Sequence, residues 1–344
     1  MKQDVLIRSL VVALPAGLLV LGVGAMLFTH MNPRERNHDP NEEVRLEAAA
    51  LNRRPISQED LERNLDILAG QIGERHVGEP ENLEKAAVWI ESTIGGANLG
   101  YQIERQVYSV EGQEVRNLIA ELPGRSRREE IVVVGAHYDT VPGCPGANDN
   151  GTGVAALLSL AKAFAGAQQD RTIRFVAFVN EEPPYFHTEK MGSVVYARRC
   201  RARGEQIVAM LALETIGYFS EEEGSQKIPE GLEGNFPEVG NFLAFVGNPE
   251  SRYLADSAKT AFSLKSGVPA IGGGFFEGTP GVSWSDHWSF WQEGFPAVMV
   301  TDTAPYRYPH YHKASDTPEQ IDFETFTKAV EGIEEVIRVW SNPR

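Results

Sequence analysis

Cysteine is nearly absent: Cys144 and Cys200 are the only two in 344 residues, and they stand far apart, outside any CxxC or Cys/His spacing. That argues against a thiolate-built metal site. Cysteines this sparse read as free thiols more readily than as a bridge, although export would favour one. Positive charge is also in short supply. Lys and Arg number 32 against 48 Asp and Glu, a formal net charge of −16, so a surface that neutralises phosphates is not expected and nucleic acid drops out as a partner. No internal repeat or long low-complexity tract is visible, which removes solenoid architectures. Hydrophobic residues make up 42% and charged residues 23% of the chain, the proportions of a folded protein with a sizeable core.

What is present begins at the N-terminus. Ser9 to Thr29 carries no charge and follows Lys2 and Arg8. At about 1.5 Å per residue a helix of that length crosses the roughly 30 Å hydrocarbon core. The expected organisation is a cytoplasmic N-terminus over 1–8, a transmembrane signal anchor over 9–30, a polar linker over 31–56 and one large domain over 57–344, outside the cytoplasm. The small residues Val23-Gly24-Ala25 make cleavage and secretion the rival reading.

Beyond the linker, Ser57 to Gly73 and Glu81 to Ile94 carry helical signals, with Ser57 as N-cap. Tyr101 to Val110 and Val115 to Leu122 alternate as strands around Glu111-Gly112. The run Ile131 to Ala136 is continuously apolar and rich in valine, as a strand covered on both faces should be. A helix over Gly151 to Ala165, a strand over Thr172 to Val179, a helix over Gly192 to Arg203 and a strand over Ile207 to Leu213 follow. This order implies an α/β fold with a central mixed, largely parallel sheet flanked by helices. Gly217 to Gly240, rich in Gly, Glu and Pro, reads as an inserted loop. Ser251 to Leu264 reads as a helix, Phe295 to Thr301 as a late strand and Phe323 to Trp340 as a closing helix.

Ligands of such sheets bind beyond the C-terminal ends of the strands, and there the chemistry collects. The Ile131 strand runs into His137 and Asp139, the next loop carries Asp149, the Thr172 strand runs into Glu181-Glu182, and the Ile207 strand runs into Glu214. A carboxylate after one strand is ordinarily a solvated cap; four segments converging on one edge are not explained that way. Imidazole and carboxylate without thiolate suit a catalytic zinc site. Two metals need a bridging carboxylate, and a base not spent on metal must carry the proton to the leaving group. Adjacent glutamates can divide those tasks, since neighbouring side chains near a strand end point to opposite sides.

The segments Gly135-Ala-His-Tyr-Asp-Thr140, Gly146-Ala-Asn-Asp-Asn-Gly-Thr-Gly153, Asn180-Glu-Glu182, Ser285-Asp-His287 and Tyr311-His-Lys-Ala-Ser-Asp-Thr-Pro318 resemble, in order, the motif series of the di-zinc aminopeptidase and glutamate carboxypeptidase family, metallopeptidase family 28. The resemblance runs from about Leu61 to Val339. It implies two Zn2+ ions, with His137 and Glu214 on one, Glu182 and His312 on the other and Asp149 bridging. Glu181 would be the general base, and Asp139 would fix the His137 imidazole through its remote nitrogen. The Asp149-Asn150 peptide bond would be cis. The implied activity is that of an exopeptidase, an aminopeptidase in the first place, acting on peptides or amino-acid conjugates. The alternatives are a one-zinc glutaminyl cyclase-like aminoacyl transferase and a non-catalytic receptor on the same fold.

The chain departs from the family at Glu214, where Asp is common, and at Pro183-Pro184, where a glycine-containing turn is usual. His310 competes with His312, which holds the position before Asp316-Thr317-Pro318. Ser285-Asp286 also reads as the start of a short helix, and Trp284, Trp288 and Trp291 read as core with one of them free to face substrate.

Overall fold

The computed structural model describes residues 54–229, 232 and 236–343. The run from Ser9 to Thr29 and most of the linker lie outside them. Among the described residues no helix is long and apolar enough to cross a membrane.

The domain opens on α1 (Gln58–Leu65), where Ser57 caps the helix by accepting the Asp60 N–H. The single helix expected up to Gly73 instead widens after Leu65 into a π-helical turn (Asp66–Ile72) that stops at Gly73, whose φ of 76° suits glycine. Next comes α2 (Pro80–Ile94), with Pro80 at its first turn, where a missing N–H costs nothing. Strands β1 (Ile103–Val110) and β2 (Gln113–Leu122) form a hairpin through Glu111-Gly112, both at positive φ, as a two-residue turn between twisted strands requires.

The remainder alternates as β3 (Arg127–His137), α3 (Gly153–Phe164), β4 (Arg171–Phe178), α4 (Gly192–Ala202), β5 (Gln206–Glu214), β6 (Leu243–Gly247), α5 (Arg252–Ser263), β7 (Ala270–Gly274), α6 (His287–Gln292), β8 (Ala297–Thr301) and α7 (Phe323–Ser341). The eight strands lie in the order β1-β2-β4-β3-β5-β8-β6-β7. The centre is parallel, β3 with β4 and with β5, and β5 with β8. Antiparallel pairs border it on either side, so the sheet is the expected mixed one. Gly217 to Gly240 contains no helix or strand among its described residues. The short strands β6 and β7 were not expected; Gly272-Gly273-Gly274 belongs to the edge strand β7.

Period-two alternation places Val132, Val134, Leu211 and Leu213 in one core with α1, α3, α5 and α7. Ile131, Val133, Met210 and Ala212 pack on the other face with Tyr196 and Cys200 of α4 and Phe290 of α6. Each buried Val, Leu, Ile or Met side chain among them contributes about 1.5–3 kcal/mol by leaving water. The parallel strands are thereby fixed side by side, and their C-terminal ends with them. Cys144 and Cys200 are buried free thiols.

Candidate metal centre

Three adjacent strands end at the site. β3 ends on His137 and β5 on Glu214, while Glu181 and Glu182 follow β4 after a left-handed Asn180 at φ 62°. Asp149 comes from the loop leading into α3, and its peptide bond to Asn150 is cis, as the resemblance implies. Asn150 ties that loop to the end of β5: its amide donates to Leu213 O at 2.7 Å and its carbonyl accepts the Gly153 and Thr215 N–H groups, each at 3.1 Å. His312 is carried by the loop before α7.

These side chains converge. His137 Nε2 lies 3.3 Å from Glu214 Oε2, 3.5 Å from Asp149 Oδ1 and 3.8 Å from Glu181 Oε2. His312 Nε2 lies 3.0 Å from Asp149 Oδ2 and 3.4 Å from Glu182 Oε2. The two oxygens of Asp149 therefore face different histidines. Among the described residues, three groupings bring ligand atoms close enough for one ion: His137 with Asp149 and Glu214, Asp149 with Glu182 and His312, and His137 with Glu181 and Glu182. The first two share Asp149. His310 belongs to none of them and pairs with Ser315 Oγ at 2.9 Å.

Asp139 stands beside the remote nitrogen of His137 and also braces the glutamate pair. Its carboxylate is 3.7 Å from His137 Nδ1, and the imidazole N–H points to the Asp139 main-chain oxygen at 3.3 Å. The carboxylate accepts the N–H groups of Glu181 and Glu182, each at 3.1 Å, because after a left-handed Asn180 both N–H groups turn towards it. Ser285-Asp286 begins the short helix α6 as read from the sequence, with Asp286 at the N-cap position, but the Asp286 side chain makes no cap bond. Its carboxylate is buried with no hydrogen-bond partner, while Ser285 Oγ donates to Glu214 Oε2 at 2.7 Å.

Nothing in the sequence pattern flagged Arg75. Its fully buried guanidinium donates to the carbonyls of Gly73, Tyr138, Pro145 and Gly146, holding the start of the Asp149 loop against the end of β3. Only contacts across more than sixty residues reveal that role.

The electrostatics are those of a cation site. Burial opposes charge on the His137 imidazole, yet Glu181 and Glu214, with Asp139 and Asp149, hold its pKa well above the ordinary value. Burial likewise opposes the Asp149 carboxylate, but His137 and His312 keep it below the usual carboxylate range. Glu182 is pushed up to about 8 by burial and by Asp149. Burial raises Glu181 well above its ordinary value against the pull of His137, and the neighbouring Glu182 and Glu214 add to the rise. His137 Nε2 and Glu182 Oε1 are buried and make no aligned hydrogen bond. Such atoms are costly to leave unpaired, and together with an all-nitrogen and oxygen donor set they fit zinc ligands.

Beside Glu214 opens a recess of about 720 Å³, including its mouth, walled by Phe236, Val246, Phe275, Val282, Met299 and Tyr311. Trp284, 45% exposed, stands at its edge, whereas Trp291 is buried and Trp288 stacks on His187 with ring centroids 3.8 Å apart. A second, more polar groove begins at Glu182 and runs past Asp139, Tyr185 and the hairpin residues Glu111 and Gln113.

Comparison with known proteins places the chain among peptidases and related folds. The chain is 30% identical over 289 residues to the uncharacterized protein YfbL of Escherichia coli K12, covering 81% of this chain and 87% of that one. It is 27% identical over 284 residues to a probable leucine aminopeptidase of Trichophyton verrucosum, covering 78% and 69% respectively. The fold is similar to that of BSAP, a zinc aminopeptidase from Bacillus subtilis, at a TM-score of 0.67 and 16% identity over 84% of this chain and 96% of that one. A glutaminyl cyclase from Fimbriiglobus ruber also shares it, at a TM-score of 0.61 and 20% identity over 83% and 96%. The model of peptidase family M28 matches residues 117–337, more than half of the chain, and the chain belongs to that family.

Proposed function

We propose that this chain is a two-zinc aminopeptidase. The observation that carries the reading is Asp149, whose two oxygens face His137 on one side and His312 on the other. His137 and Glu214 would hold one ion, Glu182 and His312 the other, with Asp149 between them. When bound, the ions would supply Lewis-acid polarisation of the scissile carbonyl and lower the pKa of water to near neutrality.

The protein's own residues do the rest. Glu181 lies outside both of those ligand sets, and its raised pKa suits a group that takes a proton from the attacking water and passes it to the leaving amine. Asp139 holds the Glu181 and Glu182 main chain, which keeps the two carboxylates in separate roles. The likeness to a probable leucine aminopeptidase favours a free amino terminus as the group received. The apolar recess beside Glu214 suits a large apolar first side chain, whose burial contributes about 25 cal/mol per Å².

The test is a screen of aminoacyl arylamides, carboxy-terminal substrates and blocked peptides on full-length protein restored with zinc. Cleavage of arylamides with free amino termini at two zinc equivalents is expected. Full activity at a single equivalent, with cyclisation of amino-terminal glutamine, would favour the transferase reading instead.

We further propose that Ser9 to Thr29 tethers the domain to a membrane on its extracytoplasmic side. An N-terminal label should stay with the mature protein and require detergent for extraction. A soluble form beginning near Met26 would make it a secreted enzyme.

A further inference from the structure

Gln226, Lys227, Pro229, Leu232 and Phe236 of the loop inserted between β5 and β6 line the apolar recess, and the described residues of that loop form no helix or strand to hold it. Its described limbs, 218–227 and 236–242, are joined by Ser220 N–H to Gly240 O at 2.9 Å, Gln226 N–H to Glu238 O at 3.0 Å, Gly240 N–H to Ser225 Oγ at 2.9 Å and Asn241 Nδ2 to Glu221 Oε2 at 2.9 Å. Single bonds tie individual points of the limbs to the body of the domain, among them Tyr218 N–H to Asp302 Oδ2 at 2.9 Å, but one side chain of the body reaches three points of the insert. Arg307 is 7% exposed, and its guanidinium donates to Tyr218 O at 3.3 Å, to Gln226 Oε1 at 2.8 Å and to Phe242 O at 2.8 Å. It therefore touches the beginning, the middle and the end of the insert. The guanidinium also lies over the Phe242 ring, 4.5 Å from its centroid.

The fit around Arg307 is close. A Cβ on Gly240 would come within 2.9 Å of Arg307 Cδ and Nε, so glycine there makes room for the arginine stem. Gln226 in turn donates to Thr303 Oγ1 at 2.9 Å, and the neighbouring Lys227 N–H donates to Tyr306 O at 2.8 Å. Gln226, Lys227, Thr303 and Tyr306 all line the recess. A planar group with five donors can meet several carbonyl oxygens at once, which lysine cannot.

We propose that Arg307 is the positioning residue that sets first-residue specificity, by clamping the insert over the apolar recess so that large apolar side chains are enclosed. It touches neither the metal ligands nor the reacting bond. The inference rests on the aminopeptidase reading, and its consequence is selective: a side chain long enough to reach the insert depends on the clamp, whereas alanine does not.

The experiment uses full-length protein loaded with zinc. Arg307→Met keeps the bulk of the side chain and removes the donors, while Gly240→Ala disturbs the same contact from the other side. Arg307→Lys serves as the conservative partner. For the Met variant kcat/KM on leucine p-nitroanilide should fall at least 10-fold, mainly through KM, while alanine p-nitroanilide changes less than about 2-fold and zinc content stays at the wild-type value. The Ala variant should move the same ratio in the same direction, and the Lys variant should recover part of it.

A second measurement is independent of turnover. Lys227 lies in the clamped limb, so trypsin cleavage after Lys227, followed by mass spectrometry, should accelerate in the Met variant. An unchanged leucine-to-alanine ratio together with unchanged protection of Lys227 would overturn the clamp. If the wild type cleaves no aminoacyl arylamide at any zinc loading, the aminopeptidase reading fails, and the clamp then stands or falls on Lys227 protection alone.

Discussion

Asp316 holds Asp149 by the main chain: its Oδ2 accepts the Asp149 N–H at 3.1 Å. Its Oδ1 accepts the Asn148 N–H and the Tyr308 hydroxyl, both at 2.7 Å. The segment that carries His312 thus also orients the carboxylate that faces it. Either oxygen of Asp316 meets donors only, so Asp316→Asn forces an amide NH2 against an N–H or O–H group. The expected cost is about 1–3 kcal/mol in the metal-free protein, with zinc affinity weakened by about 10–100-fold, as loss of a group that supports a ligand does. Chelator competition beside urea unfolding measures both. Unaltered zinc affinity would mean that Asp149 needs no such support.

Acid sensitivity has an identifiable source away from the metal ligands. The His287 imidazole is completely buried, donates from Nε2 to Val282 O at 2.7 Å, and is pulled down to about 4 by burial, with that hydrogen bond opposing. In the unfolded chain a histidine protonates near 6.5. Between those values the unfolded state binds the extra proton. The stability this group contributes is therefore whole above about pH 6.5 and disappears as pH falls towards 4, by roughly 3 kcal/mol. His287→Gln keeps an amide donor and removes the titration. Unfolding free energies at pH 7 and pH 4.5 should differ less in the variant than in the wild type, and equal differences would assign the acid sensitivity elsewhere.

The groove that starts at Glu182 has no Lys or Arg among its lining residues, and Glu111 stands on its rim. If the leaving part of the peptide lies there, a dipeptide places its free carboxylate among like charges within a few ångströms of the scissile bond. Leucyl-alanine amide should be cleaved faster than leucyl-alanine, on the order of 10-fold at low salt, and the gap should narrow as salt screens it. A preference for the free acid would place the leaving group elsewhere.

The sequence disclosed the ends of the central strands because buried parallel strands are long and apolar on both faces, so β3 and β5 announce themselves and the residues after them stand at a known edge. The strands β6 and β7 were illegible for the opposite reason. Each is five residues long, and Ala270 to Gly274 includes three glycines, a composition that reads as turn. Side-chain partnerships were the other blind spot. Asp139 could be associated with His137 from proximity in sequence, but its choice of the Glu181 and Glu182 N–H groups depends on the turn at Asn180. Arg75, Arg307 and Asp316 act on segments that lie 60 or more residues away, where no local periodicity carries information.

The division of labour between the adjacent glutamates gives the most discriminating test. Glu182 Oε2 is 3.4 Å from His312 Nε2 and shares a grouping with Asp149, whereas Glu181 comes no closer than 3.8 Å to His137 Nε2. Glu181→Gln is nearly isosteric and cannot take a proton from water at neutral pH, so zinc content should be retained while turnover falls by at least the 10²–10⁴-fold commonly supplied by a general base. Glu182→Gln removes a charged ligand, so zinc content itself should drop, and excess zinc should restore part of the activity. Occupancy must be measured beside rate for both variants, because rate alone falls in either case. Loss of metal from Glu181→Gln with retention in Glu182→Gln would exchange the two roles and point to the alternative grouping, in which Glu181 joins His137 as a ligand.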